Sequence, residues 1–379
     1  MVGRGVSIDE AGQATEVIPV VSDAVEPKAS RRNRFVFLDL IRSVAAPLVF
    51  YSHVVEYWNN HGRSSPVTDG IATFVNNPLS LFQDFGFFGV ALFFLVSGFV
   101  VTHRASQERA TEFALKRVLR IYPVLFAVVA LIGIFGGWLH VLGAANLPAF
   151  TPTNLVTNAL LINYFLLPQV VLILVAWTLA IEVMFYLLLL VLLPLIKRIT
   201  WMALSIELVL CWCAVEFARD FGGNVFLIAV SLSFLPVLLL GQICWAVWSK
   251  RLQFRYGALM GVAAWLIFVW AGNRDMGRLD HGYDSAVCIA LLLFVALLLA
   301  EDHLRPTRAI SYLADRSYSI YLIHWFVALP VMAYLYPHVP AWLAIIAAIA
   351  ATLAVVELSY RGIERPSQRL ARYLTRKRR

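Results

Sequence analysis

Ten apolar runs, each close to the length that crosses a lipid bilayer, dominate this sequence. A transmembrane helix needs about 20 predominantly apolar residues. Only 14% of the residues are charged, against about 25% in an ordinary soluble domain. The chain is therefore predicted to be an all-α integral membrane protein with about ten transmembrane helices around a central cavity. The predicted spans are about 36–58, 84–103, 121–142, 174–196, 202–218, 224–246, 256–272, 284–300, 317–336 and 340–361.

The distribution of Lys and Arg predicts which helix ends face the cytoplasm. The formal net charge is +8, but no basic soluble domain carries it, so nucleic acid is not an expected partner. If the N-terminus is inside, the outward loops hold only Arg63, Arg219, Arg274 and Arg278. The inward loops hold Arg104, Arg109, Lys116, Arg117, Arg120, Lys197, Arg198, Lys250, Arg251, Arg255, Arg305, Arg308 and Arg316. This asymmetry follows the positive-inside rule and predicts cytoplasmic N- and C-termini.

The sequence predicts a transmembrane domain over residues 31–366 with a tail at each end. Residues 1–30 are polar, mixed in charge and poor in aromatics, which predicts a disordered cytoplasmic tail. Residues 367–379 are predicted to form a basic cytoplasmic tail. The outward segment 143–173 has no charged residue and ends in an apolar stretch. A short or re-entrant helix is expected there, because irregular backbone at membrane depth must be covered by protein.

No metal site is expected from the cysteines. All four lie in apolar runs, where a thiol behaves as a small hydrophobic group. Cys211 and Cys213 are two residues apart, so they do not face the same way on a helix.

The first span carries ionisable residues at membrane depth, where they are costly and therefore usually functional. Arg42 and His53 are eleven residues apart, which places them on one helix face with a rise of roughly 16 Å between them. An imidazole can take a proton from a hydroxyl group near neutral pH, so His53 is a candidate general base. The alternative is a core histidine bonded to a nearby carbonyl. Glu56 either orients the His53 ring or marks the membrane interface.

Six motifs, in this order, resemble those of the membrane acyltransferase 3 family. They are FLDLIRSVAAPLVFYSH in the first span, GFFGVALFFLVSGFVVT at 86–102, KRVLRIYPV at 116–124, WTLAIEVMFY at 177–186, SYSIYLIHWFV at 317–327 and YRGIERP at 360–366. The resemblance is to members without a fused SGNH hydrolase-like domain. It implies an enzyme of the bacterial inner membrane that transfers an acyl group, usually acetyl, from cytoplasmic acyl-CoA to a glycan or another acceptor.

The resemblance also suggests roles for individual residues. It places the essential histidine of the family at His53. Arg117 and Arg120 face one way on a helix and suit bidentate phosphate binding, so they are predicted, with Lys116 and Arg42, to contact CoA. The alternative is that these cations only mark the cytoplasmic helix end.

Three further residues have two interpretations each. Glu182 either positions the acceptor or the His53 ring, or makes a structural bond to another helix. Trp177 is either a sugar-stacking platform or part of the aromatic belt, and His324 either helps to build the cavity or only bonds two helices together. The chain departs from the family pattern at Ala91, where many relatives have an acidic residue, and beside Glu182, where many have a second one.

The predicted function is membrane O-acyltransfer from acetyl-CoA to a hydroxyl group of a glycan, exopolysaccharide or lipid-linked sugar. Either His53 deprotonates the acceptor, or it carries the acyl group itself. Alternatives are N-acylation, acylation of a small metabolite such as a macrolide, or, from another class, a transporter or flippase for a polar solute. Apart from membrane lipid and the two substrates, no partner is predicted, and the sequence carries no prediction of oligomeric state.

Overall fold

The computed structural model describes residues 35–63, 65–81, 83–141, 151–278 and 282–376. Within these ranges the chain is helical and has no β-strand. Ten of the described helical segments are long and apolar enough to cross a membrane, which confirms the predicted fold class. The predicted N-terminal tail lies outside the described residues.

The ten spans are built from longer and shorter α-helices. In chain order the helices are α1 (Val36–Asn60), α2 (Pro66–Ile71), α3 (Gly86–Gln107), α4 (Ala110–Val141), α5 (Pro152–Ala159), α6 (Trp177–Arg198), α7 (Thr200–Phe217), α8 (Gly223–Leu232), α9 (Leu235–Trp248), α10 (Phe254–Asn273), α11 (Gly282–Leu299), α12 (Arg308–Leu335), α13 (Ala341–Ser359) and α14 (Arg365–Arg376). Helices α8 and α9 together make one span, and α13 continues into α14 through a π-helical turn at Tyr360–Glu364.

Three helices extend beyond the predicted spans at their polar ends. Helix α4 begins at residue 110 rather than near 121, and α12 begins at 308 rather than near 317. The apolar runs mark only the part in hydrocarbon, whereas strong helix formers such as Ala, Glu, Lys and Arg continue the helix into the interface. For the same reason, 367–376 belong to helix α14, which packs against α4.

Helix α1 is fixed at its N-terminus by a distant carboxylate. Glu301, just after α11, accepts hydrogen bonds from the backbone N–H groups of Val36 (2.8 Å) and Phe37 (2.7 Å). The first N–H groups of a helix lack partners within the helix, and a negative charge there is favourable. This contact sets the start of the helix that carries Arg42 and His53.

Helix α3 forms the core of the bundle, because its apolar stretch is the most buried of the ten spans. It packs against α1, α6, α9 and α11. Glycines allow the closest approach, because a Cβ atom on Gly98 would lie 1.9 Å from the Leu238 carbonyl oxygen and one on Gly241 would lie 2.1 Å from that of Leu95. Small residues let membrane helices pack backbone to backbone in this way. Helix α1 in turn packs against α12, so three motif-bearing helices are neighbours.

The segment before α6 contains the short helix predicted for the outward loop. Helix α5 is followed by 3₁₀ turns at Ile162–Phe165 and Leu174–Ala176. Buried Asn158 ties the segment together, because its amide donates to the Val170 carbonyl (2.9 Å) and accepts from the Leu172 N–H (2.9 Å). The Tyr164 hydroxyl donates to the Ile173 carbonyl (2.7 Å), and burial raises the pKa of Tyr164. These bonds satisfy backbone groups that helices would otherwise pair.

Candidate active site

Helices α1, α3, α6 and α12 line two adjoining cavities, and α4 adds to the wall of the first and α8 and α11 to the wall of the second. The first, here the arginine cavity, has a volume of about 100 Å³. The second, here the histidine cavity, has a volume of about 540 Å³. The polar wall of the arginine cavity includes Arg42, Ser97, Arg117, Arg120, Thr178, Glu182, Tyr186, Ser317, Tyr318 and Tyr321. The histidine cavity includes His53, Glu56, Tyr164, Trp177, Phe234 and Tyr283.

Helix α1 reaches both cavities with one face. Arg42 lines the arginine cavity, and His53 lines the histidine cavity. The eleven-residue spacing places both side chains on the same stripe of the helix, about three turns apart. The two residues therefore serve different cavities although they share a helix face.

His53 is held by Glu56, one turn further along the same helix. The Nδ1 atom lies 3.2 Å from Glu56 Oε2. An ionised carboxylate can only accept a hydrogen bond, so Nδ1 carries the proton and Nε2 of the neutral ring keeps its lone pair. The His53 side chain is 14% exposed, which leaves the ring accessible from the cavity. The pair has the composition of a general base with an orienting carboxylate.

His324 lies beside His53 but contributes to neither cavity wall. Its side chain is completely buried, and its ring centroid is 5.3 Å from that of His53. Nδ1 donates to the Ile320 carbonyl (3.0 Å), and Nε2 has no hydrogen-bond partner within the described residues. The packing of α12 against α1 encloses the ring, and the predicted role of His324 at the substrate cavity stays a prediction.

Aromatic side chains form much of the wall of the histidine cavity. Trp177 lies on this wall, with its ring centroid 5.1 Å from that of Phe234. Tyr164, Gln169 and Val171 add a wall from the segment between α5 and α6. The place of this segment in the site could not be predicted from the sequence, because its contacts depend on a chain path that no helical periodicity describes.

Arg117 and Arg120, which both line the arginine cavity, differ in their partners. Arg120 Nη1 donates to Glu364 Oε1 (2.8 Å), and this completely buried carboxylate also accepts from the Ser319 hydroxyl (2.6 Å). The Arg117 guanidinium stacks over the rings of Phe113 and Tyr186 at 5.6 and 5.8 Å. Its Nε has no hydrogen-bond partner within the described ranges. Arg120 is thus compensated by an acidic partner, whereas Arg117 keeps an unused donor.

Glu182 lies on the wall of the arginine cavity, apart from His53. It accepts hydrogen bonds from the Ser97 hydroxyl (2.8 Å) on α3 and from the Tyr186 hydroxyl (2.5 Å) one turn along α6. The structure corresponds to the alternative of a structural bond between helices. Glu182 lines the arginine cavity and His53 the histidine cavity, and the alternative in which Glu182 positions the acceptor or the His53 ring stays a prediction.

Lys116 lines neither cavity, so its predicted contact with CoA is not supported by the structure. Its Nζ donates to Glu108 Oε1 (2.7 Å), and Lys197 Nζ donates to the Glu108 backbone carbonyl (2.6 Å). Both lysines therefore anchor the turn between α3 and α4. Only the packing of α6 beside this turn could reveal that role.

The two cavities meet at a shared wall. Of the described residues, Val90 and Tyr321 line both cavities. The Tyr321 hydroxyl donates to the Val175 carbonyl (3.0 Å) and lies 2.9 Å from Thr178 Oγ1. The shared wall therefore carries one tyrosine whose hydroxyl group contacts a residue of each cavity, Val175 and Thr178.

The structure places Thr178, Tyr186 and Tyr321 in the site, although the sequence did not predict a role for them. Thr178 and Tyr186 lie four residues on either side of Glu182, a spacing that places all three on one helix face. Tyr321 precedes His324 by three residues. Hydroxyl-bearing residues at helical spacing within an apolar run are the sequence feature that could have predicted these site residues.

Comparison with known proteins identifies the family of this chain. The family model of the acyltransferase 3 group, described as an acyltransferase domain, matches residues 35–361. The chain is similar to Nodulation protein 10 of Rhizobium leguminosarum bv. viciae, with 29% identity over 380 residues that cover 93% of this chain and 98% of the relative. No solved structure matches the chain. Because the family match runs from the first span into the last, the chain belongs to the acyltransferase 3 family and is a membrane acyltransferase.

Proposed function

We propose that this protein is an O-acetyltransferase that moves an acetyl group from acetyl-CoA to a hydroxyl group of a glycan or lipid-linked sugar. The observation that carries the proposal is the meeting of two unlike cavities at one wall. One cavity presents arginines, and the other presents a histidine paired with a carboxylate. The family match supports acyl transfer in general, and the cavity chemistry supports the choice of donor and acceptor.

The donor side of the proposal uses the arginine cavity. Its volume of about 100 Å³ is smaller than the roughly 300–1,000 Å³ of sites that enclose a whole small ligand. We therefore assign it to the thin pantetheine arm and thioester, with the nucleotide outside the narrow part. Guanidinium groups bind phosphates through paired charge-assisted hydrogen bonds. Arg117 and Arg42 are the proposed contacts of the pyrophosphate that joins the pantetheine arm to the nucleotide, and Arg120, already bonded to Glu364, shapes the wall.

The acceptor side uses the histidine cavity. Its volume of about 540 Å³ falls within the usual range of ligand sites, about 300–1,000 Å³. Trp177 and Phe234 offer flat aromatic faces on its wall, and such faces cover apolar ligand surface at little cost in entropy. A sugar unit with one hydroxyl directed at His53 fits this chemistry.

In the proposed reaction His53 Nε2 takes the proton of the acceptor hydroxyl, and Glu56 stabilises the imidazolium that forms. The acceptor oxygen attacks the thioester carbonyl, the carbon–sulfur bond breaks, and the CoA thiolate receives the proton from His53. The products are an acetyl ester and CoA with a free thiol. The alternative with an acyl-histidine intermediate predicts acetylated His53 when acceptor is withheld, which mass spectrometry of the protein would detect.

The direction of transfer follows from the charge pattern. The helix end that carries Lys116, Arg117 and Arg120 is predicted to be cytoplasmic. Acetyl-CoA is then bound and CoA released on the cytoplasmic side, and only the acetyl group reaches the acceptor. A transporter that gates a polar solute would instead move a complete molecule across the membrane.

The experiment has two stages. Mass spectrometry of envelope glycans from cells with and without the protein identifies the acetylated acceptor. Sealed vesicles of known orientation then receive acetyl-CoA, labelled in the nucleotide, on the cytoplasmic face and this acceptor on the other face. We expect acetylated acceptor while the nucleotide label stays in its compartment. Appearance of the label on the acceptor side would contradict the proposal and favour a transporter.

A further inference from the structure

The junction of the two cavities is where the reacting carbonyl must lie if the proposed function holds, and the inference below rests on that function. The thioester arrives from the arginine cavity, and the acceptor hydroxyl is deprotonated in the histidine cavity. Val90 and Tyr321 are the described residues common to both cavity walls. Val90 has an apolar side chain, so the Tyr321 hydroxyl is the polar side-chain group shared by both walls.

Attack on a thioester produces negative charge at a defined position. The acceptor oxygen forms a bond to the carbonyl carbon, and the pair of π electrons moves onto the carbonyl oxygen, which becomes an oxyanion. When the carbonyl re-forms, the carbon–sulfur bond breaks and its electrons leave with the CoA sulfur. A hydrogen-bond donor already positioned at the oxyanion lowers the barrier of both steps.

We propose that the hydroxyl group of Tyr321 is this donor and that Tyr321 is therefore a catalytic residue. Its ring is held edge-on by Phe93, with centroids 5.5 Å apart. Its hydroxyl group lies between Val175, on the histidine cavity wall, and Thr178, on the arginine cavity wall. The base approaches the same region from α1, because His53 packs against His324, one turn beyond Tyr321 on α12.

Thr178 allows the Tyr321 proton to be redirected without leaving a buried group unpaired. Thr178 Oγ1 lies 3.1 Å from the Val175 carbonyl, the same oxygen to which Tyr321 donates. When Thr178 donates to this carbonyl, the Tyr321 O–H is released to the oxyanion, and the carbonyl keeps a partner. A buried carbonyl left without any partner would cost about 1–3 kcal/mol, so this exchange keeps the donor available at little cost.

The test is the kinetics of Tyr321→Phe, which removes the donor and keeps the ring. Loss of one oxyanion donor lowers kcat by about 10²–10³-fold, and we expect this loss with little change in the affinity for acetyl-CoA measured by calorimetry. Thr178→Val should lower kcat by about tenfold, because Tyr321 must then remain on the Val175 carbonyl, at the cost of one ordinary hydrogen bond.

The matched control is Tyr312→Phe on the same helix. The Tyr312 hydroxyl bonds Glu357 (3.0 Å) and lines neither cavity, so its loss should leave kcat unchanged. Full activity of Tyr321→Phe beside an active parent would overturn the oxyanion role alone, as would a lower affinity for acetyl-CoA with unchanged kcat. If the parent transfers no acetyl group from acetyl-CoA, the proposed function itself fails, and the role of Tyr321 falls with it.

Discussion

The arginine cavity and the histidine cavity show two ways of placing charge inside a membrane protein. In the arginine cavity, Arg120 is paired with a buried carboxylate 244 residues away, and Glu182 accepts from two hydroxyl groups. In the histidine cavity, His53 depends on Glu56 of its own helix and remains accessible. Buried ions need such compensation from neighbouring helices, whereas a general base must keep one nitrogen available. The free energy of unfolding is therefore expected to depend mainly on the charge pairs of the arginine cavity, and proton transfer on His53 in the histidine cavity.

The largest expected effect is at His53. His53→Ala removes the proposed base, and we expect acyl transfer to fall by about 10²–10⁴-fold, the usual contribution of a general base, while the protein still inserts and accumulates. Product formation in membranes and the amount of folded protein in detergent are the two measurements. His61→Ala is the matched control, because His61 is an exposed histidine just after the same helix and lines neither cavity. Its Nδ1 bonds the Tyr57 carbonyl, and its ring packs against Tyr57 and Tyr336. Normal activity of a well-expressed His53→Ala protein would show that the comparison assigns chemistry to the wrong cavity.

The second prediction tests the stability half of the comparison. Glu364→Gln removes the charge that compensates Arg120, and breaking a buried ion pair by removing one partner costs about 3 kcal/mol or more. We expect a lower midpoint of thermal unfolding in detergent. Glu216→Gln breaks the Arg274 pair at 3.5 Å, whose carboxylate is 30% exposed whereas Glu364 is completely buried, and should cost less than about 1 kcal/mol. If both variants lowered the midpoint of thermal unfolding equally, the Arg120–Glu364 pair would stabilise the protein no more than the Arg274–Glu216 pair does.

The smallest expected effect concerns donor binding. Arg117 has an unused donor and no acidic partner among its described contacts, so Arg117→Gln should weaken acetyl-CoA binding without loss of fold. A hydrogen bond to a charged group contributes about 1.5–3 kcal/mol, equivalent to a rise in Kd of about ten- to a hundredfold. Calorimetric titration of the purified protein measures this change, and Arg109→Gln, an exposed cation at the start of α4, is the control. An unchanged Kd would leave Arg117 as a marker of topology only.

The structure agrees more closely with the predicted fold than with the predicted grouping of site residues. Arg42 and His53 share a helix face, as expected, and yet they line different cavities. Glu182 and Lys116 are candidate site residues in the sequence, and the structure shows their partners to be Ser97 and Glu108. A helix period identifies which residues share a face. It does not identify the helix that the face meets.

The sequence by itself determined the properties that depend on local chemistry. The bilayer thickness and the absence of water in hydrocarbon require apolar helices of about 20 residues, so the ten spans could be read from the chain. The uncharged outward segment likewise indicated the short helix α5. The motif order identified the family before any contact was known.

Only the tertiary structure decided which polar groups meet. Arg120 and Glu364, Glu182 and Ser97, and Tyr321 and Val175 are joined across 244, 85 and 146 residues. Lipid is as apolar as the helix surfaces, so helix partners are chosen by close packing and interhelical hydrogen bonds rather than by hydrophobicity. These short-range contacts have no periodic signature in the sequence. The separation of one buried polar region into a donor cavity and an acceptor cavity is consequently a property of the packed bundle.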